Sequence, residues 1–368
     1  MSTNQNKNSR HNYFMNLALL QAHVMLGNTK NNPSVGCVIT KNNNLIAAGV
    51  TSYNGRPHAE VNAINFSKSS LNNSDIYSTL EPCSHYGKTP PCVKKIISQK
   101  IKKVFFSIND PDIRSYKRSK NKLKKKGIFV IKGILQKEAN IFYKSYFKFK
   151  TEYLPFVTSK LAVSKDFFTI NKKNNNSITN KYSRGRVHLM RSSHDCILTS
   201  SETVIKDNPL LNCRIPGLEN RSPYRFVIDK NLRIPIKSKI LVLNNDKKTI
   251  IFYNKLNKKK ITLLNKLKIK TIRIPLEDNG GLNLTLILKK IKEQGFSRVF
   301  LECGIRLTYQ FFKNNLINDF KLFISKKKLG ISGDGNFKKN FIMFLKNKKG
   351  INEKVNLFGD QLISYRIK

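Results

Sequence analysis

Tryptophan is absent from this chain, and acidic residues are scarce: 22 Asp and Glu stand against 69 Lys and Arg. Aromatic residues still make up 10% and hydrophobic residues 39% of the 368 positions, adequate for globular cores and too polar for a membrane protein. No apolar run approaches the length of a bilayer-spanning helix, and residues 1–10 are polar throughout, so neither an anchor nor a signal peptide is expected. Cysteine is too sparse for a disulfide framework, with 6 residues in the whole chain. The expected setting is a reducing cytoplasm, with Cys37, Cys196, Cys213 and Cys303 as small buried residues. The shortage of acid leaves a formal charge of +47, a balance that points toward nucleic acid. Yet the excess is mostly Lys, spread through both halves beside abundant Asn and Ile. These three residues share A/T-only codons, so a biased genome accounts for all of them together. No specific nucleic-acid partner is expected, only salt-sensitive adhesion and an attraction for anionic phosphate substrates.

What is present is concentrated in one stretch. Pro57-His58-Ala59-Glu60 is followed by Glu81-Pro82-Cys83 and then, after eight intervening residues, by Cys92. One imidazole and two thiolates supply three ligands to a tetrahedral Zn²⁺ and leave the fourth position to water, the mark of a catalytic site. Glu60, two residues after His58, can face that water and carry its proton without binding the metal. His-x-Glu followed by Pro-Cys and a second Cys is the pattern of zinc nucleobase deaminases. A structural zinc knuckle has no use for such a carboxylate and ordinarily supplies four ligands. His85, between the cysteines, is read as a loop or substrate-contact residue.

Periodicity predicts a helix over residues 11–26, a hairpin from strands 35–40 and 45–50, and a helix opened by Pro57 with His58 and Glu60 in its first turn. A strand over 76–80 delivers Glu81-Pro82-Cys83, Cys92 heads a helix over 93–99, and strands 104–108 and 128–131 complete a sheet. Residues 117–126 read as a solvated basic helix and 136–150 as a connecting helix. The boundary falls at 151–155, giving domains 1–150 and 151–368. Beyond it, short apolar strands (156–163, 195–199, 224–229, 249–253, 299–301) alternate with helical segments (182–192, 282–294, 307–314), as in a second α/β domain.

Taken in order, Asn32-Pro33-Ser34-Val35-Gly36, His58-Ala59-Glu60, the segment 83–92 and Thr199-Ser200-Ser201-Glu202-Thr203-Val204 resemble the bifunctional deaminase–reductases of riboflavin biosynthesis over roughly residues 10–330. The resemblance implies a cytidine-deaminase-like three-layer α/β/α domain followed by a dihydrofolate-reductase-like α/β domain that uses NADPH. It implies that Asn32 contacts the pyrimidine ring, and that Arg191, Leu211, Arg214, Glu302 and Asn175 contact the phosphorylated substrate. Forked guanidinium donors suit a ribose phosphate. Ala162, Ser177, Thr203, Asp207 and Gly304 fall at cofactor positions, with 199–209 read as a loop and Gly304 at a helix start that can cradle a phosphate. Lys160 and Asp166 also match. A homo-oligomer is compatible with this reading.

The departures gather near residue 170. Phe167-Phe168 replaces a glycine and a basic residue, Ser177 a tryptophan, and Asn175 a serine. Positive φ at the lost glycine would strain a Phe there by about 1 kcal/mol or more. Three alternatives follow, the first two being a deaminase carrying a decayed reductase domain and a nucleic-acid deaminase whose charge serves tRNA or single-stranded DNA. A nonenzymatic basic zinc protein is the third.

Overall fold

Alternation along five strands decides the layering of the first part of the chain. The computed structural model describes residues 2–171, 177–243 and 249–368. Two compact units divide the chain, Met1–Glu152 and Tyr153–Lys368.

In the first unit, β1 (Gly36–Lys41) and β2 (Asn44–Val50) form an antiparallel hairpin. β3 (Asp75–Leu80), β4 (Lys103–Ile108) and β5 (Phe129–Lys132) extend it in the order β2-β1-β3-β4-β5, the last three mutually parallel. Helices α1 (Ser2–Val24), α2 (Ala59–Phe66), α3 (Cys92–Ser98), α4 (Ser119–Lys124) and α5 (Gln136–Thr151) cover the faces. Val38, Tyr77 and Phe105 are cross-strand partners and pack with Phe14, Met15 and Ala18 of α1. Tyr143 of α5 ties to this side, its hydroxyl 2.6 Å from Thr79 Oγ1 and donating to Ser34 O at 3.1 Å. The opposite face meets α2, where Ser78 Oγ donates to Glu60 at 3.4 Å. Both layers seat closely at glycines. A Cβ on Gly36 would stand 1.8 Å from the Ala18 carbonyl oxygen, and one on Gly49 2.4 Å from the Ala63 nitrogen.

The sequence placed Pro57 at the opening of the second helix. The backbone instead stays extended through His58 (ψ 160), which caps the helix, and α2 begins at Ala59. Glu60 keeps its place in the first turn.

The second unit begins with β6 (Phe156–Val163), β7 (Phe168–Asn171), α6 (Lys181–Ser192), β8 (Cys196–Ser200), α7 (Ser201–Asp207) and β9 (Tyr224–Ile228). There follow α8 (Lys239–Val242), β10 (Thr249–Tyr253), α9 (Lys258–Lys266), β11 (Lys270–Arg273), α10 (Leu284–Glu293) and β12 (Arg298–Glu302). It closes with α11 (Ile305–Lys313), β13 (Asp319–Ile324), β14 (Gly333–Asn336), α12 (Phe337–Leu345), β15 (Gly350–Asn352) and β16 (Gln361–Arg366). The main sheet runs β11-β10-β9-β8-β12-β6-β13-β16-β15, parallel from β11 to β13, with β16 and β15 antiparallel at one edge. Val157, Leu161, Leu198 and Leu301 face a core with α10, α11 and α12. Ile197 and Phe300 face the other, with Val187 of α6 and Val204 of α7.

Residues 199–209, read as a loop, form the end of β8 and the helix α7. Ser200 caps this helix, its Oγ accepting from Thr203 N at 3.2 Å, an N-cap signal that the sequence reading passed over.

Candidate functional site

In the first unit, β3 delivers Cys83, the N-terminus of α3 begins at Cys92, and the entry to α2 turns His58 toward both. His58 Nδ1 lies 3.5 Å from Cys83 Sγ and 3.4 Å from Cys92 Sγ. Among the described residues this is the one group of three His, Cys, Asp or Glu ligand atoms able to hold a metal, all within 4.8 Å of one another. The donor set fits zinc: one nitrogen, two sulfurs and no fourth protein ligand. The Cys92 amide donates to Cys83 Sγ at 3.2 Å, and the Cys92 thiol and His58 beside Cys83 hold its pKa well below the ordinary thiol value.

Glu60 is 3% exposed, and its side chain accepts at long range from Ser78 Oγ at 3.4 Å and Cys92 Sγ at 3.5 Å. Burial pushes its pKa up, with His58 opposing. A buried carboxylate with a raised pKa beside a metal-ligand triad is equipped to carry a proton. Asn32 bridges two turns next to this entry, its Nδ2 donating to Gly55 O at 2.8 Å. His85 stands apart from the triad, with Nδ1 2.9 Å from Ser115 Oγ. Two neighbours were given no role in the sequence analysis. Arg56 Nη1 lies 3.4 Å from His58 Nε2 and donates to Thr89 Oγ1. Glu81 is buried and accepts from the amides of Lys117 at 3.0 Å and Ser119 at 3.2 Å, fixing the loop after β4.

The second unit gathers its candidates at the C-terminal ends of parallel strands, where open α/β sheets hold ligands. Lys160 of β6 and Glu302 of β12 are register partners. Glu302 is gripped by Arg191 of α6, Nε at 2.9 Å and Nη2 at 2.7 Å. Although burial works against it, Arg191 and Lys160 hold Glu302 at about 2. Burial lowers the Lys160 pKa, with Glu302 and Asp207 opposing. Ala162 lies two residues further on the same face of β6, packed against the α6-side core. Thr203 sits in the first turn of α7 with Oγ1 3.1 Å from Ser200 Oγ, and Asp207 ends that helix, exposed.

Leu211 is buried at φ 50 and Arg214 exposed, with Nη1 donating to Asn212 Oδ1 at 3.1 Å. Gly304 caps α11 and is exposed; a Cβ there would meet nothing within 4 Å. Open space over a helix start, with Thr199 Oγ1 buried and unpartnered at the end of β8, fits a phosphate-bearing cofactor. Ser177 is exposed outside any element, and Asn175 lies outside the described residues. Asp166 serves the scaffold: it accepts from the amides of Leu329 at 3.1 Å and Gly330 at 2.7 Å. The sequence reading missed His188, whose Nδ1 lies 2.9 Å from Asn212 O. Its spacing of three from Arg191 on one helix was the available signal.

Comparison with known proteins bears on both units. The family model for the cytidine and deoxycytidylate deaminase zinc-binding region matches residues 8–108, and that for the RibD C-terminal domain matches residues 155–348. The riboflavin biosynthesis protein RibD of Aquifex aeolicus is 33% identical over 318 residues, 86% of this chain and 87% of that one. RibD of Bacillus amyloliquefaciens is 32% identical over 331 residues, 88% of each. Among solved structures, Acinetobacter baumannii RibD matches with TM-score 0.84 at 28% identity, covering 98% of this chain and 99% of that one. A Thermotoga maritima diaminohydroxyphosphoribosylaminopyrimidine deaminase/5-amino-6-(5-phosphoribosylamino)uracil reductase matches with TM-score 0.83, 28% identity and the same coverage, 98% and 99%. By descent across both units, this chain belongs to the RibD family of riboflavin biosynthesis proteins.

Proposed function

We propose that residues 1–150 deaminate 2,5-diamino-6-ribosylamino-4(3H)-pyrimidinone 5′-phosphate and that residues 151–368 reduce the ribosyl chain of the product to ribityl with NADPH. The observation that carries the reading is Glu60, buried and weakly bonded beside the His58, Cys83 and Cys92 ligand set. Zinc, when bound by these three, supplies Lewis acidity that makes water acidic near neutral pH. Glu60 takes one proton of the attacking water to the ring nitrogen and then carries the second, from the hydroxyl left on the ring carbon, to the amino group that leaves as ammonia. Asn32 orients the pyrimidine, and the helix start at Cys92 favours the charged thiolates.

In the second unit, Thr203, Asp207, Ala162 and the open helix start at Gly304 receive the cofactor, which supplies a hydride to the sugar carbon bonded to the amine. That addition frees the ring oxygen, which needs a proton. Lys160 is the nearby cation made more acidic by burial, with the charges of Glu302 and Asp207 opposing. Arg191 holds Glu302 in place, while Leu211 and Arg214 take the phosphoribosyl end. The enzyme acts on a small phosphorylated substrate in the cytoplasm, with no specific nucleic-acid partner. No helix among the described residues is long and apolar enough to cross a membrane.

One coupled assay tests the proposal: ammonia release and NADPH oxidation from a single purified preparation supplied with the ribosylaminopyrimidine phosphate. Both signals are expected. Ammonia without NADPH oxidation at millimolar cofactor would leave a deaminase with a silent second unit. Ammonia from tRNA or single-stranded DNA instead would overturn the substrate.

A further inference from the structure

The segment 208–214 joins α7 to the strand region beyond it and carries both Leu211 and Arg214. Two of its residues adopt left-handed backbone, Asn208 at φ 41 and Leu211 at φ 50. Such conformations persist where surrounding contacts over-determine them. Arg225 Nη1 donates to Leu210 O at 3.1 Å, and Cys213 N donates to Ser222 Oγ at 3.0 Å. Lys239 N donates to Asn208 Oδ1 at 2.8 Å, and the further ties to residues 212–214 come from α6. His188 Nδ1 lies 2.9 Å from Asn212 O and 3.2 Å from Arg214 N, so it meets the backbone on both sides of Cys213.

The helix that carries His188 is itself anchored. Arg191, one turn on, is locked to Glu302 by two parallel bonds, and its Nη1 lies 3.4 Å from His188 Nδ1 and 3.0 Å from Asn212 O. With its fork committed to Glu302 and this carbonyl, Arg191 has few donors left for a ligand. Arg214 is exposed, and among the described residues its guanidinium, which donates through Nη1 to Asn212 Oδ1, keeps most of its donors. The phosphate grip therefore depends on where segment 212–214 holds Arg214.

We infer that His188 is a positioning residue of the reductase reaction, fixing segment 212–214 on the Arg191–Glu302 anchor so that Arg214 points at the substrate phosphate. The inference rests on the reductase reading given above. Burial and the two guanidiniums push His188 down to about 4, so the ring is neutral near pH 7 and adds no repulsion between Arg191 and Arg214. A neutral ring nitrogen either donates to the Asn212 carbonyl or accepts from the Arg214 amide, and either choice pins the segment.

The test uses the full chain with His188→Ala, His188→Asn and Arg214→Ala. Asn places an amide near the position of Nδ1 and can make either bond. His188→Ala is expected to raise KM for 5-amino-6-(5-phosphoribosylamino)uracil, and to weaken ribose 5-phosphate binding by calorimetry, by about tenfold. Turnover and KM for NADPH should stay within about twofold, and His188→Asn should recover most of the loss, as expected for a repaired contact. Adding His188→Ala to Arg214→Ala should cost nothing further. Unchanged KM for NADPH, read from the second unit itself, serves as the check on its folding. The inference is overturned if His188→Ala binds like wild type, if Asn is no better than Ala, or if the loss falls on turnover alone. Should the wild type oxidise no NADPH, the reductase reading fails, and the ribose 5-phosphate affinities of the same variants still decide the role of His188.

Discussion

Replacing Glu302 by Gln removes one charge from a pair whose side chains are only 10% (Arg191) and 13% (Glu302) exposed. Arg191 and the cross-strand Lys160 hold Glu302 at about 2, against an ordinary value of 4.5. A displacement of that size corresponds to about 3 kcal/mol of stability, at roughly 1.4 kcal/mol per pH unit. Breaking a buried pair from one side ordinarily costs about 3–5 kcal/mol, which agrees. The sign follows from the depressed pKa: the contribution is complete above the unfolded value and is lost as pH falls toward the folded one. Less than half of it, roughly 1.4 kcal/mol, is left at pH 3. Glu302→Gln leaves two cations without their shared partner, whereas Arg191→Met leaves Glu302 with Lys160. The first variant should therefore lose more than the second. Hydrogen exchange of amides in β6 and β12 reads the second unit alone. A loss below about 1 kcal/mol at pH 7, or a wild-type-to-variant difference that is the same at pH 3, would refute the account.

Cys83→Ala is expected to lose zinc and ammonia release together; metal analysis finding a full equivalent of zinc would remove Cys83 from the ligand set. Glu60→Gln should keep its zinc and lose roughly a hundred- to ten-thousand-fold in deamination rate, and near-normal turnover would mean another group moves the proton. Ser177→Trp, at an exposed position, should lower KM for NADPH by up to about tenfold without changing stability, and no change would show that the tryptophan-like contact is not made here. Binding to duplex or single-stranded nucleic acid should collapse between roughly 50 and 200 mM salt, whereas tight binding at physiological salt would give the positive charge a dedicated partner.

The first unit was the more legible of the two because its chemistry and its backbone pattern coincide. His58, Glu60, Cys83 and Cys92 all sit at element ends that hydrophobic alternation already marks. The second unit hides its order. Its parallel strands are short apolar runs without alternation, and the partners of β6 lie far along the chain at β12 and β13. The elements beyond residue 314 went unread, since Lys and Asn interrupt their apolar pattern. No sequence rule pairs Arg191 with Glu302, 111 residues away. Phe167 illustrates the same limit. It does take the left-handed backbone, φ 68, which suits the glycine it replaces. Sequence could not supply the offsetting contacts: its ring lies 6.4 Å from that of Phe337, and Lys338 Nζ stands 4.3 Å from its centroid.

The place of β6 in its sheet has a consequence for synthesis. It is the first strand of the second unit to leave the ribosome, yet both of its neighbours, β12 and β13, are made more than 130 residues later. At about 5–20 residues per second, the gap between Val163 and Glu302, where β12 is complete, amounts to roughly 7–28 s. Through that interval the apolar row Val157, Leu161 and Val163 has no strand to pair with, while Met1–Glu152 already contains every strand of its own sheet. Nascent chains arrested between these points would carry a finished metal-binding unit tethered to an unpaired hydrophobic strand. That strand is where a chaperone would bind during translation, and where premature termination would leave an aggregation-prone product.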